Sequence, residues 1–226
     1  MLDIRLDVVR LDVADLFSVE SAAHQLTDEL PFGGNYLGHF ALIARLFPLL
    51  RDGARVVTVG SIMRRWSPLN LDDLQGEHGF RAAKQYGRSK TAMMSFALEL
   101  DRRCRAAGRS VLGLTAHPGF APDSLTPPRP GVNQMSARAR VLDQPTRPVC
   151  QGKDAGAWPL VHAAGGEDVE GGQYWGSRGW QELTGAPALS HARAHARNPS
   201  WPPSCGAQSE ELIGVPFVTT HRRTAP

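Results

Sequence analysis

The sequence predicts an α/β domain with a mainly parallel sheet, and three observations predict it. Residues 54–59 (ARVVTV) and 110–116 (SVLGLTA) are continuous apolar runs of strand length, the pattern of strands covered on both faces. Helical periodicity fills the intervals around them, so strands and helices alternate along the chain. Both strand runs also end in segments rich in chemistry, Gly60 and Ser61 after the first and His117, Pro118 and Gly119 after the second. Parallel sheets gather their reactive groups at that carboxyl edge.

In order, residues 7–13 (DVVRLDV) read as a short strand, and Ser18 begins a helix whose positions Val19, Ala22, Ala23, Leu26 and Leu30 repeat at helical spacing. Residues 35–50 (NYLGHFALIARLFPLL) are apolar nearly all round, as in a helix buried on several sides or seated at a subunit interface. Asn35 opens that helix and reads as its N-cap. After the 54–59 strand a polar stretch, 67–84, leads to a helix over 86–107, ended by Gly108. Residues 121–150 carry six prolines with little periodicity and read as a long surface loop. Residues 154–164 read as a helix kinked by Pro159, and 172–176 (GQYWG) as a last short strand. The expected organisation is one domain over 1–184 and a weakly ordered tail over 185–226 with a short helix near 208–213.

Composition narrows the function. No stretch approaches the roughly 18 apolar residues of a membrane span, and the first residues, MLDIRLDVVR, alternate charge with apolar positions unlike a signal peptide, so a cytoplasmic location is expected. Cys104, Cys150 and Cys205 are far apart and form no CxxC pair, which argues against a disulfide framework or a zinc site. Net charge is +3 with the cations scattered, and the one dense basic patch, 191–197 (HARAHAR), lies in the tail, so no nucleic-acid partner and no metal are expected.

Tyr86 and Lys90 carry the sharpest signal. Four residues apart on a helix, their side chains share one face and can approach one object together. The chain has three tyrosines and only three lysines among 25 basic residues, so a chance YxxxK is expected about 0.04 times. Taken alone the pair also fits a partly exposed tyrosine beside a solvated lysine. Ser61, at the end of the 54–59 strand, supplies a third group able to converge on it.

Asn35, Ser61, Tyr86 and Lys90 stand in the order of the catalytic tetrad of short-chain dehydrogenases/reductases, and the chain resembles that family. The segments NYLGHFALIARLFPLL, ARVVTVGSIMRR, NLDDLQGE, YGRSKTAMMSFALELDRR and AHPGF are similar to its retinol-dehydrogenase-like and protochlorophyllide-reductase-like branch. The resemblance implies an incomplete Rossmann-like, doubly wound sheet. It also implies a hydride passed between NAD or NADP and a small carbonyl or alcohol substrate, coupled to a proton at the substrate oxygen. Tyr86 is then the acid/base, its phenol made more acidic by the Lys90 ammonium. Lys90 also holds the nicotinamide ribose, Ser61 the substrate oxygen, and Asn35 a water that relays protons. Pro118 and Gly119 bring backbone to the nicotinamide, and Asp12 resembles the aspartate that meets the adenine. In the family, helices matching 35–50 and 86–107 commonly pair between subunits, which implies a homodimer.

The departures matter as much. No Gly-rich TGxxxGxG-like turn is present, and Glu29 and Leu30 run almost directly into Phe32 and Asn35, where the family places a further strand and helix. The expectation is an N-terminally and internally truncated member with weak or absent cofactor binding. Its alternative is an inactive remnant serving as a dimerisation or binding module. A hydrolase built on Ser61 has no GxSxG turn to support it. Asp123 stands where a Thr is common after the PG turn, and Gly60 where a Ser is common, the latter expected to be mild. The loop 121–150, which sets substrate choice in this fold, is atypical and gives no substrate identity.

Overall fold

The computed structural model describes residues 32–70, 73, 81–122, 144–190, 203–214 and 216–217. The strand and helix expected over 7–30, Asp12, Asp123 and the basic patch 191–197 lie outside them.

Four strands form one sheet in sequence order: β1 (Arg55–Val59), β2 (Leu112–Ala116), β3 (Tyr174–Ser177) and β4 (Pro187–Leu189). The first three are parallel, with Arg55 opposite Leu112, Val59 opposite Ala116 and Ala116 opposite Trp175. Strand β4 returns antiparallel, pairing Trp175 with Leu189 and Ser177 with Pro187. Residues 187–189 fall in the tail expected from its composition to be weakly ordered, yet they form a strand. A proline is tolerated as the first residue of a strand, and it occupies that place here.

The apolar strand runs follow from two-sided cover. Successive side chains alternate faces, so Val56 packs with one cluster, around Phe96 and Leu100, and Val57 with another, around Leu114, Ala163 and Trp175. The chain is therefore a Rossmann-like α/β fold with helices on both faces of a mainly parallel sheet. One layer holds α1 (His39–Leu46) and α2 (Ala82–Ala106); the other holds α3 (Lys153–Gly156) and α4 (Trp158–Gly165). Helix α2 can lie close on β2 because Gly113 has no side chain; a Cβ there would strike the Ala97 carbonyl oxygen. The kink expected at Pro159 is a full break at Ala157, with the proline in the first turn of α4, where its missing N–H costs nothing.

Three expectations for the helices need correction. Helix α2 begins at Ala82, so Tyr86 sits one turn inside it rather than where a loop joins the helix. Its end matches: Gly108 has φ +67°, Arg109 N–H donates to Cys104 O at 2.8 Å, and Gly108 N–H donates to Arg105 O at 3.1 Å, a Schellman closure. Residues 33–38 form a π-helical turn leading into α1, and Asn35 lies within it instead of capping it. Finally, the 35–50 segment is buried along one face, Tyr36, Phe40, Ala44 and Phe47, while Leu42, Leu46 and Leu49 are exposed. The buried stripe is covered by the chain's own C-terminal segment. Helix α5 (Pro203–Ile213) bonds back through Ser209 Oγ to Tyr36 Oη at 2.8 Å, and the ring of Phe217 inserts between Phe40, Phe47 and Phe96. Among the described residues no helix is long and apolar enough to cross a membrane.

Candidate active site

The carboxyl ends of β1 and β2 define the site. Beyond β1, Gly60 N–H extends the ladder by donating to Ala116 O at 2.8 Å, and Ser61 turns the chain into a short 3-10 helix (Ile62–Trp66). Ser61 Oγ caps that turn by accepting Met63 N–H at 3.2 Å, which fixes the hydroxyl and leaves its hydrogen for another acceptor. Gly60 is not interchangeable with serine here. An added Cβ would lie 2.9 Å from Thr115 Cγ2 and 3.1 Å from Tyr174 Cε2. Gly60→Ser is therefore expected to lower stability by about 1–3 kcal/mol, read from the urea midpoint of a circular-dichroism titration.

Lys90 reaches from α2 to the same strand end, where its Nζ donates to the carbonyl oxygen of Val59 at 3.2 Å. The same Nζ stands 5.6 Å from the centroid of the Tyr86 ring, one helical turn back. Burial of the ammonium lowers the Lys90 pKa below the ordinary lysine value. Tyr86 itself is 39% exposed, so the phenol is open to an incoming molecule while the lysine beside it is sheltered. Asn35 comes to this helix as well: its Nδ2 donates to Ser89 Oγ at 3.3 Å, and Ser89 Oγ donates to the Tyr86 carbonyl at 2.7 Å. Thus Lys90 joins Tyr86 to the β1 end that carries Ser61, and Ser89 joins Asn35 to the backbone of Tyr86. The π-turn bearing Asn35 is a feature frequent at functional sites.

Pro118 and Gly119 follow β2 at the adjacent strand end. Gly119 has φ +70°, and a side chain there would run into the Leu183 carbonyl oxygen, so glycine is required twice over. The buried Gln151 pins this turn, its Nε2 donating to Pro118 O at 2.8 Å and to Ser177 Oγ at 3.1 Å. Large apolar side chains stand exposed on the same loops, Trp66 at 64% and Phe120 at 47%.

A polar cluster that the sequence did not reveal lies beneath both turns. His117 is fully buried; its Nδ1 accepts Gly119 N–H at 3.1 Å and its Nε2 meets Glu182 Oε2 at 3.1 Å. Arg64, 2% exposed, donates to Glu182 Oε2 at 3.3 Å and to Ser190 Oγ at 2.7 Å, and its guanidinium lies 4.2 Å from the Tyr174 ring centroid. Ser190 Oγ donates to Glu182 Oε1 at 2.7 Å, and Arg65 stands 3.1 Å from Oε2. Burial alone raises the Glu182 carboxyl, but the His117 and Ser190 hydrogen bonds and the Arg64 charge outweigh it and hold the pKa at about 2. A carboxyl lowered from an ordinary 4.5 stabilises the fold above that value and loses its contribution as pH falls toward about 2. Acid unfolding of the native chain should accordingly steepen across that window, and Glu182→Gln should flatten the profile of stability against pH measured by circular dichroism.

No family model matches the chain. It is 36% identical over 149 residues to polyprenol dehydrogenase of Mus musculus, covering 63% of this chain and 43% of that protein. It is 36% identical over 123 residues to retinol dehydrogenase 14 of Homo sapiens, covering 54% and 36%. Over this matched region the chain is similar to curated dehydrogenases of the short-chain dehydrogenase/reductase family. The chain spans less than half the length of these curated relatives. Among solved structures it is similar to the crystal structure of an uncharacterized protein from Mycobacterium Paratuberculosis. That likeness has TM-score 0.64 and 27% identity, covering 92% of this chain and 75% of the other.

Proposed function

We propose that this chain is an oxidoreductase of the short-chain dehydrogenase/reductase family that moves a proton at a carbonyl or alcohol oxygen through Tyr86. One observation carries the reading: the Lys90 ammonium is bonded to the last carbonyl of β1 and sheltered beside the ring of an exposed tyrosine. Ser61 lies two residues past that carbonyl at the same edge, and its proposed role is to donate to the substrate oxygen and orient it. Asn35, tied through Ser89 to the Tyr86 backbone, supports the helix turn that carries the phenol, and the role proposed for it is to hold a relay water.

The residues present fit the nicotinamide end of NAD or NADP. Lys90 offers a sheltered cation for ribose hydroxyls, and the Gly119 turn lets backbone come close where a side chain would obstruct. When bound, the nicotinamide supplies or accepts the hydride. The substrate class proposed is a lipophilic alcohol or its aldehyde. The matched relatives are named for polyprenol and retinol, and Trp66 and Phe120 are exposed on the two loops that flank the site.

The test is a fluorescence titration of the chain with NADH and NADPH into the millimolar range, followed by turnover with a long-chain allylic alcohol. Saturable binding lost in Lys90→Ala supports the reading. A folded chain that shows no saturable binding sinks it and leaves a non-catalytic module, whose homodimerisation through helices α1 and α2 sedimentation would then show.

A further inference from the structure

The cluster beneath the site contains a backbone anomaly. Gln181 and Glu182 are consecutive non-glycine residues with φ +52° and +62°, a left-handed conformation that costs free energy at each. Both side chains are used from that conformation. Gln181 Oε1 accepts from Arg65 Nη1 at 2.8 Å, and Glu182 receives His117, Ser190, Arg64 and Arg65 at once. The loop therefore trades backbone ease for the placement of one carboxylate.

That placement decides a tautomer. His117 Nδ1 accepts the Gly119 amide, so in the neutral ring the proton resides on Nε2, where Glu182 is the acceptor. The charged and titratable groups facing the ring from every side are Glu182, Arg64, Arg65 and Tyr174, which stacks on it at 5.2 Å. Apart from Glu182 these offer donors or a ring face. Without the carboxylate, an unprotonated Nε2 would be favoured toward the guanidiniums. The proton would then move to Nδ1 and confront the Gly119 N–H, donor against donor.

We propose that Glu182 is a positioning residue that, by fixing His117 as its Nε2–H tautomer, holds the Gly119 amide and so sets the turn facing the nicotinamide. This rests on the reading of residues 118–119 given above. Arg64 extends the same hold to the neighbouring loop, since it belongs to the 3-10 turn capped by Ser61. Burial lowers the His117 pKa first, Glu182 raises it, and Arg64 and Arg65 lower it again, so the ring is neutral at pH 7.

The experiment uses the full chain as wild type, Glu182→Gly, which suits the left-handed backbone, and Glu182→Gln, which keeps an acceptor oxygen. Nitrogen-15 shifts of His117 report the tautomer, hydrogen exchange reports the Gly119 amide, and a fluorescence titration reports NADPH. The expected result in Glu182→Gly is a switch to the Nδ1–H tautomer, with Gly119 protection and NADPH affinity each reduced on the order of tenfold. Glu182→Gln restores all three. A folded Glu182→Gly chain that keeps the Nε2–H tautomer and Gly119 protection overturns the proposal. Should that variant not fold, the wild type decides: Gly119 protection must fall as His117 titrates in acid, and protection indifferent to that titration overturns it equally. Loss of NADPH binding in every variant, wild type included, would count against the cofactor reading alone, because the tautomer and exchange readouts need no cofactor.

Discussion

Tyr86→Phe should leave the fold and cofactor affinity unchanged and reduce turnover on the order of a hundred- to ten-thousandfold, the range supplied by a positioned proton donor. The substitution removes one exposed oxygen, and the ring that faces Lys90 at 5.6 Å is retained. Nothing in the core depends on that hydroxyl, so circular dichroism and the NADPH titration serve as internal controls. Turnover equal to wild type would remove Tyr86 from the proton path. Lys90→Ala is different in kind: it also breaks the bond to Val59 O and should weaken cofactor binding as well as turnover.

Phe217→Ala should cost about 3–5 kcal/mol, the usual cost of emptying a buried aromatic site, and lower the melting temperature on the order of 6–20 °C. The ring is 6% exposed, with centroids 5.5–5.6 Å from those of Phe40, Phe47 and Phe96. Arg103 adds a second tie, donating to the Phe217 carbonyl at 3.4 Å and to Glu210 at 3.2 Å. A stop codon placed after residue 202 should reproduce the loss. An unchanged melting temperature in both variants would mean that the C-terminal segment does not dock in solution.

Much of the fold was legible in the sequence because strand and helix periods are strong where two-sided burial demands them. Residues 54–59 and 110–116 needed apolar side chains on both faces, and they became β1 and β2 with one or two residues trimmed. Tyr86, Lys90 and Ser61 were legible because a four-residue helical spacing and a strand end are local facts. What escaped was long-range or conformational. Nothing in the sequence marks Arg64 for burial, and only the fold shows it buried against a glutamate 118 residues away. Nothing in the pair Gln181 and Glu182 signals a left-handed backbone, since glycine or asparagine is the usual marker. Phe217 sits far along a chain whose neighbouring composition reads as loose, so its return to the core had no local cue. Asn35 was read as a cap from its position before an apolar run, whereas its amide reaches across to another helix.

The phenol and the ammonium ride on a single uninterrupted helix of 25 residues whose buried side anchors one half of the hydrophobic interior. The proton donor proposed at Tyr86, mounted on such a strut, cannot swing toward or away from its target without dislodging the interior itself. Any opening and closing needed to admit a bulky alcohol therefore falls to the loops beyond the strand ends, and temperature or viscosity should act on admission and release more than on the proton step.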